Sequence, residues 1–93
     1  MATKKVNFNP GGIRQLPKGK PVLYRIETEG GKPNYVGVAK RGRVPERIAE
    51  HLGEFPGAKV RIEQFGSIKD ARDKEARVIE QSKPKYNEKD NKQ

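Results

Sequence analysis

Pro21-Val-Leu-Tyr-Arg-Ile-Glu-Thr28, then Glu29-Gly-Gly-Lys-Pro33, then Asn34-Tyr-Val-Gly-Val-Ala39 is the stretch that decides the fold. In its first part Val22, Tyr24 and Ile26 alternate with Arg25 and Glu27, the two-residue period of a strand with one face buried. The Gly-Gly-Lys-Pro segment is turn material. Residues 34–39 then read as a second strand, so the stretch predicts an antiparallel hairpin joined by a short glycine loop.

Downstream, Lys40-Arg-Gly-Arg43 forms a basic loop, and a helix is expected over residues 44–53. Pro45 suits its first turn and Gly53 its end. Residues 58–65 alternate again, with Val60 and Ile62 inward and Lys59, Arg61 and Glu63 outward, giving a third strand. Ser67 followed by Asp70 is a capping-box pattern that starts a second helix. That helix runs to about Ser82, because Pro84 cannot continue it. Upstream, residues 1–20 carry five basic residues and no acid, with Pro10, Gly11, Gly12, Pro17 and Gly19 as breakers. They are expected as a flexible basic arm, either touching phosphates or idle. Residues 88–93 are expected as a disordered tail. The expected class is α+β, a three-stranded antiparallel sheet flanked by helices in the order β-β-α-β-α, within one domain over residues 21–87.

A chain of 93 residues fits one such domain. At that size it buries only roughly 60–65% of its unfolded surface. Apolar residues make up 31% and charged residues 35%, so each well-patterned apolar run is needed for the core. The balance of 21 Lys and Arg against 12 Asp and Glu gives a net charge of +9. That charge points to a polyanionic partner, nucleic acid before membrane. The absence of cysteine excludes disulfides, zinc fingers and thiol chemistry, and the single histidine excludes a multi-histidine metal site. No apolar run approaches the roughly 18 residues of a membrane span, and the N-terminus lacks the apolar core of a signal peptide. An intracellular, cytoplasmic protein is expected.

One residue breaks the pattern of the second helix. Ile68, Ala71, Val78 and Ile79 form its apolar stripe, and Glu75 stands four residues after Ala71 and four before Ile79. Asp73 and Glu80 lie on the outer face. A carboxylate on the core-facing line is costly unless it is paired or holds a cation. It is either a metal ligand, half of an ion pair with Arg47 or Arg61, or a side chain reaching the edge of the stripe. On the first helix Arg47 and His51 share a face beside Val44, Ile48 and Leu52. They can clamp a phosphate and move a proton, or be edge residues that snorkel. Tyr24 and Tyr35 suit strand packing as well as proton transfer. Asn87 suits a turn as well as a polar ligand.

Leu23-Tyr24, Tyr35-Val36-Gly37, Arg47 with His51, then Ala71, Glu75 and Ile79, and finally Pro84, Tyr86 and Asn87 occur in an order that resembles the GIY-YIG nucleases. The resemblance spans residues 21–87. It implies that Glu75 is the metal ligand, holding a single Mg²⁺ or Mn²⁺ ion. It implies that Arg47 contacts the scissile phosphate, and that Tyr24 orients or deprotonates the attacking water with help from His51. Tyr35 would hydrogen-bond in the metal–water shell, and Asn87 would brace the site. Two departures stand out. Val22 replaces the glycine usual in the first triplet, and the Tyr35–Arg47 segment is longer than in the family pattern. Lys40, Arg41 and Arg43 fill the longer loop and are expected to bind nucleic-acid phosphates.

The function expected from these readings is metal-dependent cleavage of DNA phosphodiesters, with RNA not excluded. With no sequence-reading domain at hand, specificity should be low, or directed by a nucleic-acid structure or a partner chain. The alternatives are a non-catalytic nucleic-acid-binding module on the same fold, held by counterion release, and a structural protein of a ribonucleoprotein. The last gives no reason for Glu75 on an apolar stripe.

Overall fold

In the structure, a computed structural model describing residues 3–54 and 56–84, the elements follow as β1 (Thr3–Asn7), α1 (Pro10–Arg14), β2 (Val22–Glu27), β3 (Pro33–Ala39), α2 (Val44–Ala49), β4 (Lys59–Gln64) and α3 (Ile68–Ser82). The strands form one antiparallel sheet in the order β1-β4-β2-β3. The expected hairpin is β2–β3, with Tyr24 opposite Gly37 and Ile26 opposite Tyr35. Val22 continues the ladder, opposite Ala39 on one side and Gln64 on the other, and is fully buried. The valine that stands where the resemblance leads one to expect glycine therefore packs as a core residue and leaves the ladder at Tyr24 regular.

The sheet has four strands, not three, and the additional one comes from the segment expected as a flexible arm. Thr-Lys-Lys-Val-Asn shows one apolar residue because β1 is an edge strand that offers only Val6 to the core. Lys4 and Lys5 are exposed, which also guards the edge against further strand pairing. α1 follows at once. Asn9 caps it, its side chain accepting a 2.7 Å hydrogen bond from the Gly12 amide, and Pro10 takes the first turn. Ile13 and Leu16 are buried by this turn.

Strand alternation sends side chains to two faces. On one face Val22, Tyr24, Ile26, Tyr35, Ala39, Val60 and Ile62 pack with Ile13, Leu16, Val44 and Ile48 from α1 and α2. On the other, Leu23 and Val36 meet Val78 of α3, with Phe65 and Ile79 alongside. α3 lies mainly over β3 and β2. Ser67 caps it as expected, accepting from the Asp70 amide at 3.2 Å, and the helix ends at Lys83 in the left-handed conformation, followed by buried Pro84.

α2 is shorter than the expected 44–53. After Ala49 the chain tightens into turns, with the Leu52 amide donating to the Ala49 carbonyl and the Glu54 amide to the His51 carbonyl, each at 3.0 Å. Gly53 closes the last of these at φ +87. The expected tail and Asn87 lie outside the described residues. Among the described residues no helix is long and apolar enough to cross a membrane.

Candidate active site

Tyr24 sits in the middle of β2 with no exposed surface. Its ring lies over the backbone of Gly37 in the neighbouring edge strand. A methyl group at Gly37 would stand 2.7 Å from the Tyr24 hydroxyl and 3.0 Å from Cε2 of Tyr35. The glycine of the Tyr35-Val36-Gly37 motif is thus the place where two tyrosines pass across a strand. The Tyr24 hydroxyl shares a 2.8 Å hydrogen bond with Nε2 of His51, which stands in the turn after α2. The rings of Tyr24, Tyr35 and His51 form one cluster, with Tyr35 and His51 centroids 4.5 Å apart and Tyr24 and Tyr35 centroids 6.1 Å apart. On its other side His51 places Nδ1 2.9 Å from Oε1 of Glu54.

Arg47, one turn before His51, is half-exposed and forms a 3.0 Å salt bridge with Glu50. Glu75 comes from α3. It is partly buried among Ala71, Val78 and Ile79, as the stripe predicted. The ion-pair alternative does not hold for it. Arg47 is committed to Glu50 and Arg61 to Glu27 at 3.6 Å, and among the described residues Glu75 makes no hydrogen bond or salt bridge.

These groups nevertheless feel one another's charge. Burial pushes the Glu75 carboxyl above its ordinary value, while Arg72 and Arg47 pull it back. Burial also pushes the Tyr24 phenol far up, reinforced by Tyr35 and opposed by Arg47, with Glu75 and Glu50 adding to the rise. The nearness of Tyr24 and the bond to Glu50 in turn keep the Arg47 guanidinium firmly protonated. Phenol, guanidinium and carboxylate, from β2, α2 and α3, therefore share one electrostatic neighbourhood.

A groove of about 290 Å³ opens beside them, lined by Lys40, Arg43, Arg47 and Arg72 with Val38, Ala39 and Ile68. Of the loop cations expected to bind phosphates, Lys40 and Arg43 line this groove, whereas Arg41 is exposed on the turn and does not. A larger recess of about 650 Å³ lies by Lys5, Asn7 and Lys59, at the β1 edge and away from Tyr24 and Glu75. Size alone does not locate the chemistry.

Sequence reasoning missed three members of the site. Arg72 stands three residues before Glu75, a helical neighbour whose charge acts on it. Glu54 was readable as the acid three residues after the single histidine, behind a glycine turn. Gly37 belongs to the Tyr35-Val36-Gly37 motif, but its contact with Tyr24 depends on strand register. Asn87 lies outside the described residues, so the structure places five of the six expected catalytic residues.

Among the described residues, no three His, Cys, Asp or Glu side chains gather as a metal cluster. Glu75 offers one carboxylate. That suits Mg²⁺, which keeps several waters and takes few protein oxygens. A partly buried carboxylate that makes no salt bridge among the described residues fits a hydrated divalent cation.

No protein-family model matches the sequence, and a search of curated proteins found no match. The fold does match solved structures. The GIY-YIG N-terminal endonuclease domain of UvrC from Thermotoga maritima, bound to its catalytic magnesium, is 24% identical with a TM-score of 0.65, over 80% of this chain and 93% of that chain. A tyrosine-to-phenylalanine point mutant of that domain, bound to its catalytic divalent cation, is 25% identical with a TM-score of 0.65, over 80% of this chain and 92% of that one. The sheet, the flanking helices and the placement of the motif residues on them together identify this chain as a GIY-YIG fold.

Proposed function

We propose that this domain is a metal-dependent endonuclease that hydrolyses phosphodiester bonds in DNA. The observation that carries the reading is the convergence of Tyr24, Arg47, His51 and Glu75, from separate parts of the chain, on a fold whose solved neighbours include an endonuclease domain with a catalytic divalent cation. When bound at Glu75, a single Mg²⁺ or Mn²⁺ supplies charge stabilisation at the phosphoryl oxygens and a more acidic water.

The chain's own residues do the rest. Arg47 offers a charged, planar donor to a phosphate in the groove, where negative charge grows in the transition state. Lys40, Arg43 and Arg72 line the same groove and hold the backbone on either side. Tyr35 packs against the His51 ring and confines the cluster. Tyr24 is buried with its pKa far above neutrality, so a standing phenolate is not its working form. It acts as a relay. A water oxygen forms the new bond to phosphorus and the bond to the leaving oxygen breaks. The water's proton passes to the Tyr24 oxygen as the Tyr24 proton passes to His51, and the leaving oxygen takes a proton from solvent. Asn87 is assigned its bracing role by family resemblance.

Plasmid nicking with Mg²⁺ or Mn²⁺ tests this. Wild type should nick and Glu75→Ala should not; equal cutting by both ends the assignment of Glu75. The same assay on randomised DNA and RNA pools should favour DNA with no tight consensus, in keeping with targeting by nucleic-acid structure or a partner chain. The enclosure of Tyr24 favours one second reading, a basic module that binds nucleic acid through the groove without cutting. It predicts salt-sensitive binding and no nicking by any variant.

A further inference from the structure

We propose that Glu54 is a positioning residue for the Tyr24–His51 pair: it holds the imidazole in the tautomer whose Nε2 faces Tyr24 as a proton acceptor. The local chain is built for this. His51 and Glu54 close a turn in which the Glu54 amide donates to the His51 carbonyl at 3.0 Å. Gly53, at φ +87, supplies the left-handed residue that folds Glu54 back onto the ring. The carboxylate oxygen then lies 2.9 Å from Nδ1.

An ionised carboxylate only accepts, so the nitrogen facing it carries a proton. A neutral imidazole has one N–H. With that proton on Nδ1, Nε2 keeps its lone pair, 2.8 Å from the Tyr24 hydroxyl. The hydroxyl must therefore donate, which is the direction the proposed relay needs. Without Glu54 the ring can carry its proton on Nε2, where it opposes transfer from Tyr24. The imidazole is itself 8% exposed and packs against the Tyr24 and Tyr35 rings, so bulk water does not readily substitute for the carboxylate. This is the orienting role that a buried acid plays toward a histidine base. Here it falls to a side chain that is 59% exposed, so its effect should be moderate.

The catalytic consequence rests on the nuclease reading, but the tautomer does not, and the test separates them. The chain has one histidine. Imidazole ¹⁵N resonances of the full, ¹⁵N-histidine-labelled protein in EDTA therefore report on His51 alone. Wild type at neutral pH should show Nδ1 protonated and Nε2 unprotonated. Glu54→Gln, whose carbonyl oxygen also accepts, should keep that state and most of the nicking rate. Glu54→Ala should mix the tautomers and slow nicking about tenfold, less than the roughly 10²–10⁴ of a direct general base because Glu54 acts through His51. Glu54 stands in an exposed turn, and amide spectra of each variant confirm the fold. A wild-type ring protonated on Nε2 or on both nitrogens overturns the proposal, as does a tautomer unchanged in Glu54→Ala. If no protein nicks, the nuclease reading fails while the tautomer measurement still decides the role of Glu54.

Discussion

Gly37→Ala probes the packing that brings Tyr24 to His51. Gly37 lies in a regular strand and has no positive φ, so alanine meets no backbone strain there. The whole cost is steric. The new methyl group would stand 2.7 Å from the Tyr24 hydroxyl, 2.8 Å from its Cζ and 3.0 Å from Cε2 of Tyr35, all well inside van der Waals contact. Tyr24 is fully buried in the larger core, so its ring can yield only by moving packed neighbours. Overpacking of this kind costs about 1–3 kcal/mol. A ring displaced from Gly37 also loses or strains its 2.8 Å bond to His51, which adds about 1 kcal/mol. The sum is about 2–4 kcal/mol, and at about 4–8 °C per kcal/mol for a domain of this size the Tm should fall on the order of 15 °C. Urea denaturation and calorimetry of wild type, Gly37→Ala, Tyr24→Phe and the double variant measure it. Removing the hydroxyl deletes the tightest contact, so Tyr24→Phe should be less harmful in the Gly37→Ala background than in wild type, a coupling of about 1 kcal/mol. A Tm loss below about 3 °C, or strictly additive single changes, would refute the packing argument.

Two further outcomes follow from the site's electrostatics. Burial raises the Glu75 pKa, so the native state holds that proton to a higher pH than the unfolded chain. The stability linked to this group is therefore full below the ordinary 4.5 and lost as pH rises through the raised native value. In EDTA at pH 7, Glu75→Gln should melt higher than wild type and lose the pH slope above 4.5; a lower melting point would show that Glu75 has a stabilising partner. Arg47→Lys keeps the charge but loses the planar fork, so nicking should fall about 10²-fold while the salt slope of DNA binding stays the same. Full activity in that variant would remove Arg47 from the phosphate.

How much of this was legible in the chain depended on what each residue has to do locally. β2 and β4 were visible because Val22, Tyr24 and Ile26, and Val60 and Ile62, fall on alternate positions toward the larger core. β3 was visible because a short apolar run follows the glycine turn, although β2 and β3 are buried on both faces. α3 was visible because Ser67 caps it and its stripe repeats. β1 was not, since an edge strand with one shared face needs only Val6. α1 hid behind Pro10 and two glycines, although the Asn9-Pro10 pair is an N-cap followed by a first-turn proline. The end of α2 was overrun because Gly53 does not stop the helix directly; it closes a separate turn that carries Glu54. In the site, Glu75 stood out by breaking a period, and Arg47 and His51 by sharing a face. The contact of Gly37 with Tyr24 could not be read, because it exists only through cross-strand register.

The same facts bear on why the site is arranged as it is. Tyr24 and Glu75 are each placed where burial disfavours their charged forms, and Glu75 raises the Tyr24 pKa further. A fold selected for stability alone would put a phenylalanine and an aliphatic residue there. The relief comes from one side only, from Arg47 acting on both groups and Arg72 acting on Glu75. Arg47 and Arg72 are also the residues that line the groove. On the proposed function, a phosphate in that groove would draw on the positive charge that Arg47 and Arg72 lend to the Glu75 carboxylate, and a cation held by Glu75 would return it. Binding of substrate and of metal should therefore be mutually favourable, each strengthening the other by the same factor. That cooperativity would come from the partly buried Glu75 sharing Arg47 and Arg72 with the groove.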